Sequence, residues 1–369
     1  MSVLSICNKD VMNRKILTIV IPVYNVEKYI RQCMDSVIVP YEQMEQLEII
    51  VVNDGTPDNS AVIAYQYAEK YPGIIKVIDK ENGGHGSAWN VGLNLASGKY
   101  IRFLDSDDWL SNLSDFIAKL KMLDADLFFT HLTKHYENTG EQKTDYLSGV
   151  EYDKILSIDM LPDTVLKSRK DMFNFHRCTY RTDILKEDQP LFCERVYYDD
   201  SILFIAPLIL GKSLCFLDMP LYNWRLSRGG QTMDKTVEKI HAYDYVHVFR
   251  GIADFIIKYP QISENQKSLR NKILNAYITD RFRMFTSLPY LKYRSVMKGW
   301  LAIVSDIPYI KLSPIMYLFM RFPLFVSYLF SRLSHFWRKV VYHIKVFVWK
   351  IIHIRLFNII NNRSISILF

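Results

Sequence analysis

The chain has 369 residues, with 46 Lys and Arg against 39 Asp and Glu, a formal charge of +7. It is too long for one ordinary core and points to one large domain plus an extension. No Asp or Glu follows Asp306, while Lys311, Arg321, Arg332, Arg338, Lys339, Lys345, Lys350, Arg355 and Arg363 do, so residues 1–306 carry a charge of only −2; a protein-wide basic surface for coating nucleic acid is excluded, and a local anionic partner such as a lipid surface is favoured.

The hydrophobic fraction of 49% and aromatic fraction of 14% describe an ordered, core-burying chain. Cys7, Cys33, Cys178, Cys193 and Cys215 are scattered and lack CxxC spacing, so they read as reduced thiols. Met1 to Leu17 has no apolar run of signal-peptide length, and the catalytic part is expected to stay inside the cell.

The first hundred residues alternate. Ile16–Pro22 is a continuous apolar run, as a buried parallel strand would be. Asn25 is expected to cap a helix with Ile30, Met34, Val37 and Ile38 on one face. Glu48–Val52 predicts a second strand, followed by Asn53-Asp54-Gly55; Ser60–Tyr71 a helix stopped by Pro72-Gly73; Ile74–Ile78 a third strand; Ser87–Ala96 a helix; and Lys99–Leu104 a fourth strand running into Asp105-Ser106-Asp107-Asp108. Further on, Asp126–Leu132 reads as a strand, residues 137–170 as loops and short elements, Leu214–Pro220 as an edge strand, and Thr236 to about Ser305 as helical. The rhythm predicts an α/β fold with an open, mostly parallel sheet and helices on both faces. Ligands of such sheets bind beyond the carboxyl ends of the strands. There the chain carries Pro22-Val23-Tyr24-Asn25, Asn53-Asp54-Gly55 and Asp105-Ser106-Asp107-Asp108, three polar clusters that would converge on one crevice.

The acidic cluster has the hard oxygen donors that suit Mg²⁺ or Mn²⁺ bridging to a diphosphate. An extended backbone would turn Asp105 and Asp107 to one side and Asp108 away. Asp54 is placed to hydrogen-bond a nucleobase edge, with Tyr24 stacking on the base. Gly83-Gly84-His85-Gly86 lets the backbone approach a ligand closely at a helix start, and His85 is expected to have at most a modest contact role. Asp199-Asp200 precedes an apolar helical run; the pair is either an N-terminal cap or a carboxylate placed as general base. Arg225 or Arg228 is either a diphosphate clamp or part of an ordinary surface loop.

Taken together, Thr-Ile-Val-Ile-Pro-Val-Tyr-Asn at 18–25, Glu-Ile-Ile-Val-Val-Asn-Asp-Gly-Thr at 48–56, Glu-Asn-Gly-Gly at 81–84 with Asn90 and Gly92, and Gly-Lys-Tyr-Ile-Arg-Phe-Leu-Asp-Ser-Asp-Asp-Trp at 98–109 resemble the N-terminal half of the inverting glycosyltransferase family 2, of GT-A fold. The resemblance is clear over about residues 17–130 and recognisable to about 232. It implies that Pro22, Tyr24 and Asp54 bind the nucleotide base, with Asn25 and Gly84 in the same nucleotide-sugar site. Asp105 would lie near the ribose, Asp107 would bind the metal (Mn²⁺ or Mg²⁺), and Asp200 would be the general base, with Asp199 replacing the family's Glu. Arg225 would aid the leaving diphosphate. The processive synthases' Gln-x-x-Arg-Trp motif is absent, so a non-processive enzyme is implied. The donor would be a nucleotide-diphosphate sugar, usually UDP-linked, and the acceptor a saccharide, expected to be lipid-linked, in cell-surface polysaccharide synthesis. The competing readings are a nucleotidyltransferase and a non-catalytic partner that anchors another transferase.

The expected domains are the catalytic domain at 1–232, a helical extension at 233–306 and membrane-associating helices at 307–369. On a helix over His335–Asn358, the basic and His side chains other than Arg355 fall within about 160° of arc opposite an apolar face, the pattern of an interfacial helix on anionic lipid. Leu312–Ser331 is the longest apolar stretch, but Arg321 near its middle would cost about 2.5–3.5 kcal/mol at a bilayer centre. The expected location is peripheral, at the cytoplasmic face of the cell membrane, with no nucleic-acid partner.

Overall fold

The computed structural model describes residues 15–161, 173–227, 237, 240–287 and 290–307. Its elements in chain order are β1 (Leu17–Val23), α1 (Ile30–Ser36), α2 (Tyr41–Met44), β2 (Leu47–Asn53), α3 (Ser60–Lys70), β3 (Ile75–Asp79), α4 (His85–Leu95), β4 (Tyr100–Phe103), β5 (Trp109–Leu110), α5 (Leu113–Met122), β6 (Leu127–Tyr136), β7 (Glu141–Asp145), β8 (Ile155–Ser157), β9 (Cys178–Arg181), α6 (Thr182–Lys186), α7 (Ala206–Leu210), β10 (Ser213–Leu226), α8 (Asp244–Lys258), α9 (Glu264–Ser287) and α10 (Tyr290–Asp306). The first compact unit takes in the described residues up to Thr279 together with those from Gly299; the second takes in Asp280 to Lys298.

One sheet runs in the order β3-β2-β1-β4-β9-β6-β10-β5, with β7 on β6 and β8 on β10. The pairs β2–β3, β1–β2, β1–β4 and β6–β10 are parallel. β9 runs antiparallel between β4 and β6, so six strands share one direction. The sheet is mostly parallel, as expected.

Burial on both faces explains why β1 and β2 are uninterrupted apolar runs. Leu17, Ile19, Ile21 and Val23 pack with Ile30 and Met34 of α1 and Ile63 and Ala64 of α3. On the opposite face, Ile50 and Val52 pack with Ala88 and Val91 of α4. α4 lies so close to β1 that a Cβ on Gly92 would stand 2.2 Å from Cγ1 of Val20, inside van der Waals contact.

Three expectations are corrected. Asn25 does not cap α1: it sits at φ 55°, its N–H donates to Oγ1 of Thr56 (2.8 Å), and the helix begins at Ile30 behind Tyr29 without a side-chain cap. The loop after β1 is tied to the loop after β2 instead. Leu214–Pro220 is no edge strand but the first half of β10, whose 14 residues lie between β6 and β5. The reading stopped at Pro220 because a proline ends a strand pattern; here it coincides with a register shift against β6. Asp199-Asp200 begins a 3-10 turn, Asp199–Phe204, that follows Tyr198 with no side-chain cap. Residues 308–369, and with them the expected basic amphipathic helix, lie outside the described residues. No described helix is long and apolar enough to cross a membrane.

The contact between Gly92 and Val20 gives a test of the α4–β1 packing. Gly92→Ala should destabilise the protein by about 1–3 kcal/mol, read as a lowered thermal midpoint. Adding Val20→Ala should recover part of the loss, a favourable coupling in a double-mutant cycle.

Candidate active site

The carboxyl ends of β1, β2 and β4 meet at one crevice, and β10 closes it from the far half of the sheet. Tyr24, just past β1, is exposed, whereas Pro22 is buried in the strand. The N–H of Asp54 donates to the carbonyl of Val23 (3.0 Å), which holds the ends of β1 and β2 together. The Asp54 carboxylate is buried. It accepts from the N–H of Gly83 (2.9 Å), the N–H of Gly84 (2.8 Å) and Nζ of Lys80 (2.6 Å). The carboxylate thereby holds the glycine loop ahead of α4.

The loop sets His85 at the first position of α4, its ring tilted at 53° against the buried Trp89 (ring centroids 4.1 Å). Its Nδ1 lies 3.0 Å from Oδ2 of Asp199, and its Nε2 lies 3.1 Å from Oδ1 of Asp105. Burial works against the imidazolium, but the Asp199 and Asp105 carboxylates outweigh it and hold the His85 pKa well above its ordinary value. His85 thus joins the two acidic segments as a cation, far more than the modest contact expected. The close approach is possible because position 86 is glycine: a Cβ there would stand 2.2 Å from the carbonyl oxygen of Cys193 and 3.0 Å from Oδ2 of Asp199.

Asp199 is buried and engaged by His85, while Asp200 is half-buried. Burial and the adjacent Asp199 raise the Asp200 pKa to about 7, against the opposing pull of His85. Helices α8 and α9 back this turn: Tyr198 stacks on Tyr245 (4.2 Å), and the Ser201 hydroxyl bonds that of Tyr277 (2.6 Å).

The acidic segment after β4 is not extended. The N–H of Asp108 donates to the carbonyl of Asp105 (3.0 Å), closing a tight turn. Residues i and i+3 of a turn become neighbours, so Asp105 and Asp108 converge, and the alternation that paired Asp105 with Asp107 does not apply. Tyr222 of β10 holds the turn at both ends: its hydroxyl accepts from the N–H of Asp105 (3.2 Å) and donates to Oδ2 of Asp108 (2.8 Å). Arg225 adds its N–H to Oδ1 of Asp108 (2.7 Å) and its Nε to the carbonyl of Asp107 (2.8 Å). Its other guanidinium nitrogens donate to Glu137 (2.7 Å) and Gln32 (2.6 Å). Arg225 is therefore at the site, where its guanidinium fork orders the acidic turn. Arg228 lies outside the described residues.

Asp108 is buried, and burial together with Asp107 and Asp105 raises its pKa well above the usual carboxylate range. Among the described residues, the ligand atoms that converge are one carboxylate oxygen each of Asp105 and Asp108 and one ring nitrogen of His176, all within 4.8 Å of one another. This donor set fits a divalent cation, since two hard carboxylate oxygens suit Mn²⁺ or Mg²⁺. The expected metal ligand Asp107 is beside the cluster and not a member of it. His176 Nε2 is buried with no hydrogen-bond partner, and burial lowers the ring's pKa to about 3, so it is neutral. Sequence reading missed His176, Tyr222 and the bridging role of His85. No spacing rule links them to the acids; only the antiparallel insertion of β9 beside β4 brings the turn before it, Phe175–Arg177, under the acidic segment.

A model of the family described as glycosyl transferase family 2 matches residues 18–187. Glycosyltransferase GlyA of Streptococcus pneumoniae serotype 4 is 29% identical over 231 residues, 61% of this chain and 33% of that one. The uncharacterized glycosyltransferase EpsJ of Bacillus subtilis is 30% identical over 217 residues, 57% of this chain and 61% of that one. The chain thus spans from a third to about three-fifths of the length of these relatives. Among solved structures, Staphylococcus aureus TarS 1–349 in complex with UDP-GlcNAc superposes with a TM-score of 0.65 at 21% identity, covering 82% of this chain and 86% of that one. The fold is that of TarS, the GT-A fold expected from the sequence. The strand-end motifs lie inside the segment that matches glycosyl transferase family 2, residues 18–187.

Proposed function

We propose that the protein transfers a sugar from a nucleoside-diphosphate donor to a hydroxyl of a saccharide acceptor by a single displacement, with Asp200 as general base. The observation that carries this reading is the pairing of Asp199 and Asp200: one is tied to His85, and the other is left half-buried with its pKa near 7. A base poised near the working pH serves proton transfer best. In the step, the acceptor hydroxyl gives its proton to the Asp200 carboxylate and its oxygen bonds the anomeric carbon. The bond from that carbon to the diphosphate oxygen breaks, and the nucleoside diphosphate leaves. Attack opposite the leaving group inverts the anomeric configuration.

Exposed Tyr24 is suited to stack on the base, and Asp105 faces the ribose and diphosphate side of the crevice. Asp54 acts indirectly by holding the Gly83–Gly84 backbone. A divalent cation at the acidic turn, bound when donor is present, supplies charge neutralisation for the departing diphosphate. A UDP-sugar is the first donor to test: the family usually uses UDP, and TarS of Staphylococcus aureus, a poly(ribitol-phosphate) beta-N-acetylglucosaminyltransferase, binds UDP-GlcNAc. A hexose or N-acetylhexosamine is the proposed unit, and a lipid-linked saccharide of a cell-surface polymer the proposed acceptor. The nine basic and no acidic side chains after Asp306 support a peripheral position on anionic lipid at the cytoplasmic face of the membrane.

Asp200→Asn should lower kcat by about a hundredfold or more with the thermal midpoint kept, and full activity in that variant would sink the base assignment. Because the carboxylate must be ionised to accept the proton, kcat should rise with pH through about 7 in the wild type and lose that limb in Asp200→Asn. Product analysis should find nucleoside diphosphate; pyrophosphate would assign nucleotidyl transfer instead. Replacing Arg338, Lys339, Lys345 and Lys350 by Gln should reduce co-sedimentation with phosphatidylglycerol vesicles, leaving the low binding to phosphatidylcholine unchanged. Equal binding to both vesicle types by the wild type would refute the lipid reading.

A further inference from the structure

We propose that Tyr197, backed by the ring of His241, is a shelf on which a pyranose ring of the saccharide acceptor stacks, beside Asp200. The inference rests on the function proposed above and deepens it, since it names a binding surface for the acceptor.

Position is the first observation. The segment from Cys193 to Asp199 runs over the start of α4, so close that a Cβ on Gly86 would stand 2.2 Å from the carbonyl oxygen of Cys193. The N–H of Arg195 donates to the carbonyl of Gly83 (2.8 Å), and Asp199 meets His85. Tyr197 lies between these two anchors, and both belong to the crevice. Its Cα is three residues from that of Asp200, which keeps the two within about 10 Å of each other. Arg195 and Tyr198, on either side, hold positive φ angles of 57° and 66°. Non-glycine residues kept in that conformation cluster at binding and active sites.

Rigidity is the second. The Tyr197 ring stacks on His241, with centroids 3.7 Å apart and planes at 26°. Oδ2 of Asp244 contacts both the N–H of Tyr197 and Nδ1 of His241, each at 3.1 Å. One carboxylate oxygen thus fixes the backbone of one residue and the ring of the other. Asp244 is the first residue of α8, which buries Tyr245, Val248, Phe249 and Ile252, and Tyr198 lies flat on Tyr245 (4.2 Å, 5°). Exposure is the third. Tyr197 remains 38% exposed, and its hydroxyl has no partner among the described residues. A packing role accounts for a stacked ring but would cover it; an ordinary surface tyrosine is open but is not anchored twice. A ring already fixed loses little freedom when a ligand lands on it. Its body is apolar and its tip polar, which matches a pyranose, a face of C–H groups edged by hydroxyls. The nucleotide end of the crevice lies elsewhere, past β1, where Tyr24 stands. The acid pair beside Tyr197 is where the acceptor hydroxyl must come.

The test uses the full chain with UDP and Mn²⁺ present, and methyl β-D-glucopyranoside as the probe. Saturation-transfer nuclear magnetic resonance on the wild-type protein should show the glucoside bound through its ring C–H protons. Tyr197→Ala should weaken this binding about tenfold, Tyr197→Trp should keep it, and UDP affinity should stay within about twofold in both. His241→Ala should weaken glucoside binding severalfold by loosening the ring above it. His241→Phe, which restores a ring beneath Tyr197, should recover part of the loss. The proposal is overturned if the wild type binds no glucoside or if Tyr197→Ala binds it as tightly as the wild type. It is also overturned if Tyr197→Ala loses UDP to the same extent, which would give the ring to the donor. Lost binding to phosphatidylglycerol vesicles with glucoside binding unchanged would give the ring to a lipid surface instead. Should Tyr197→Ala fail to fold, Tyr197→Leu, apolar but without a flat face, takes its place with the same expected loss. Sugar transfer with an acceptor KM that Tyr197→Ala leaves unchanged removes this inference alone; glucoside binding that depends on Tyr197 in a protein that transfers no sugar removes the reading it rests on.

Discussion

The crowding of carboxylates at the carboxyl end of β4 is the constraint on which the rest of the site depends. Two unit charges 4–5 Å apart repel by about 3–4 kcal/mol at an effective dielectric of about 20. Asp105, Asp107 and Asp108 are compressed into one turn, with Asp199 and Asp200 facing them across His85. Left alone, such a group would splay or take up protons; burial, with Asp107 and Asp105 adding to it, raises the pKa of Asp108. The fold opposes it with directed donors: the Tyr222 hydroxyl and the Arg225 backbone on Asp108, and imidazolium His85 between Asp105 and Asp199. A bound cation would complete the same balance.

This explains why the far half of the sheet matters as much as the first half. β10 supplies Tyr222 and Arg225, and the turn before β9 supplies His176. These residues form no acidic motif and would make no chemistry of their own. Their work is to hold negative groups closer together than those groups would settle unaided. Gly86 and Gly92 belong to the same economy of space, since each lets a backbone or side chain approach where a Cβ would stand at 2.2 Å.

Much of this was legible beforehand. The buried strands β1, β2 and β4 announce themselves as apolar runs because both faces of each are covered, and polar clusters at their ends mark the crevice. The departures share a physical origin. Asp105 and Asp107 were paired by strand alternation, but a single turn hydrogen bond brings Asp108 round instead. Asp54 also holds the glycine loop through N–H groups that no local pattern reveals. The acceptors of the Arg225 guanidinium come from three separate segments. β10 was cut short because proline weighs against strand continuation, whereas a register shift absorbs Pro220 in the folded sheet.

The sequence by itself determined the architecture of the first half, the resemblance to glycosyl transferase family 2, the position of the acidic segments and the confinement of excess positive charge after Asp306. These are properties of local pattern: periodic burial, motif order and charge counted along the chain. Only the tertiary structure decided which acids face one another, which of Asp199 and Asp200 is tied to His85, and that a buried histidine sits against the acidic turn. Those outcomes depend on contacts between segments remote in sequence, where hydrogen-bond partners and electrostatic neighbours are set by strand order and register.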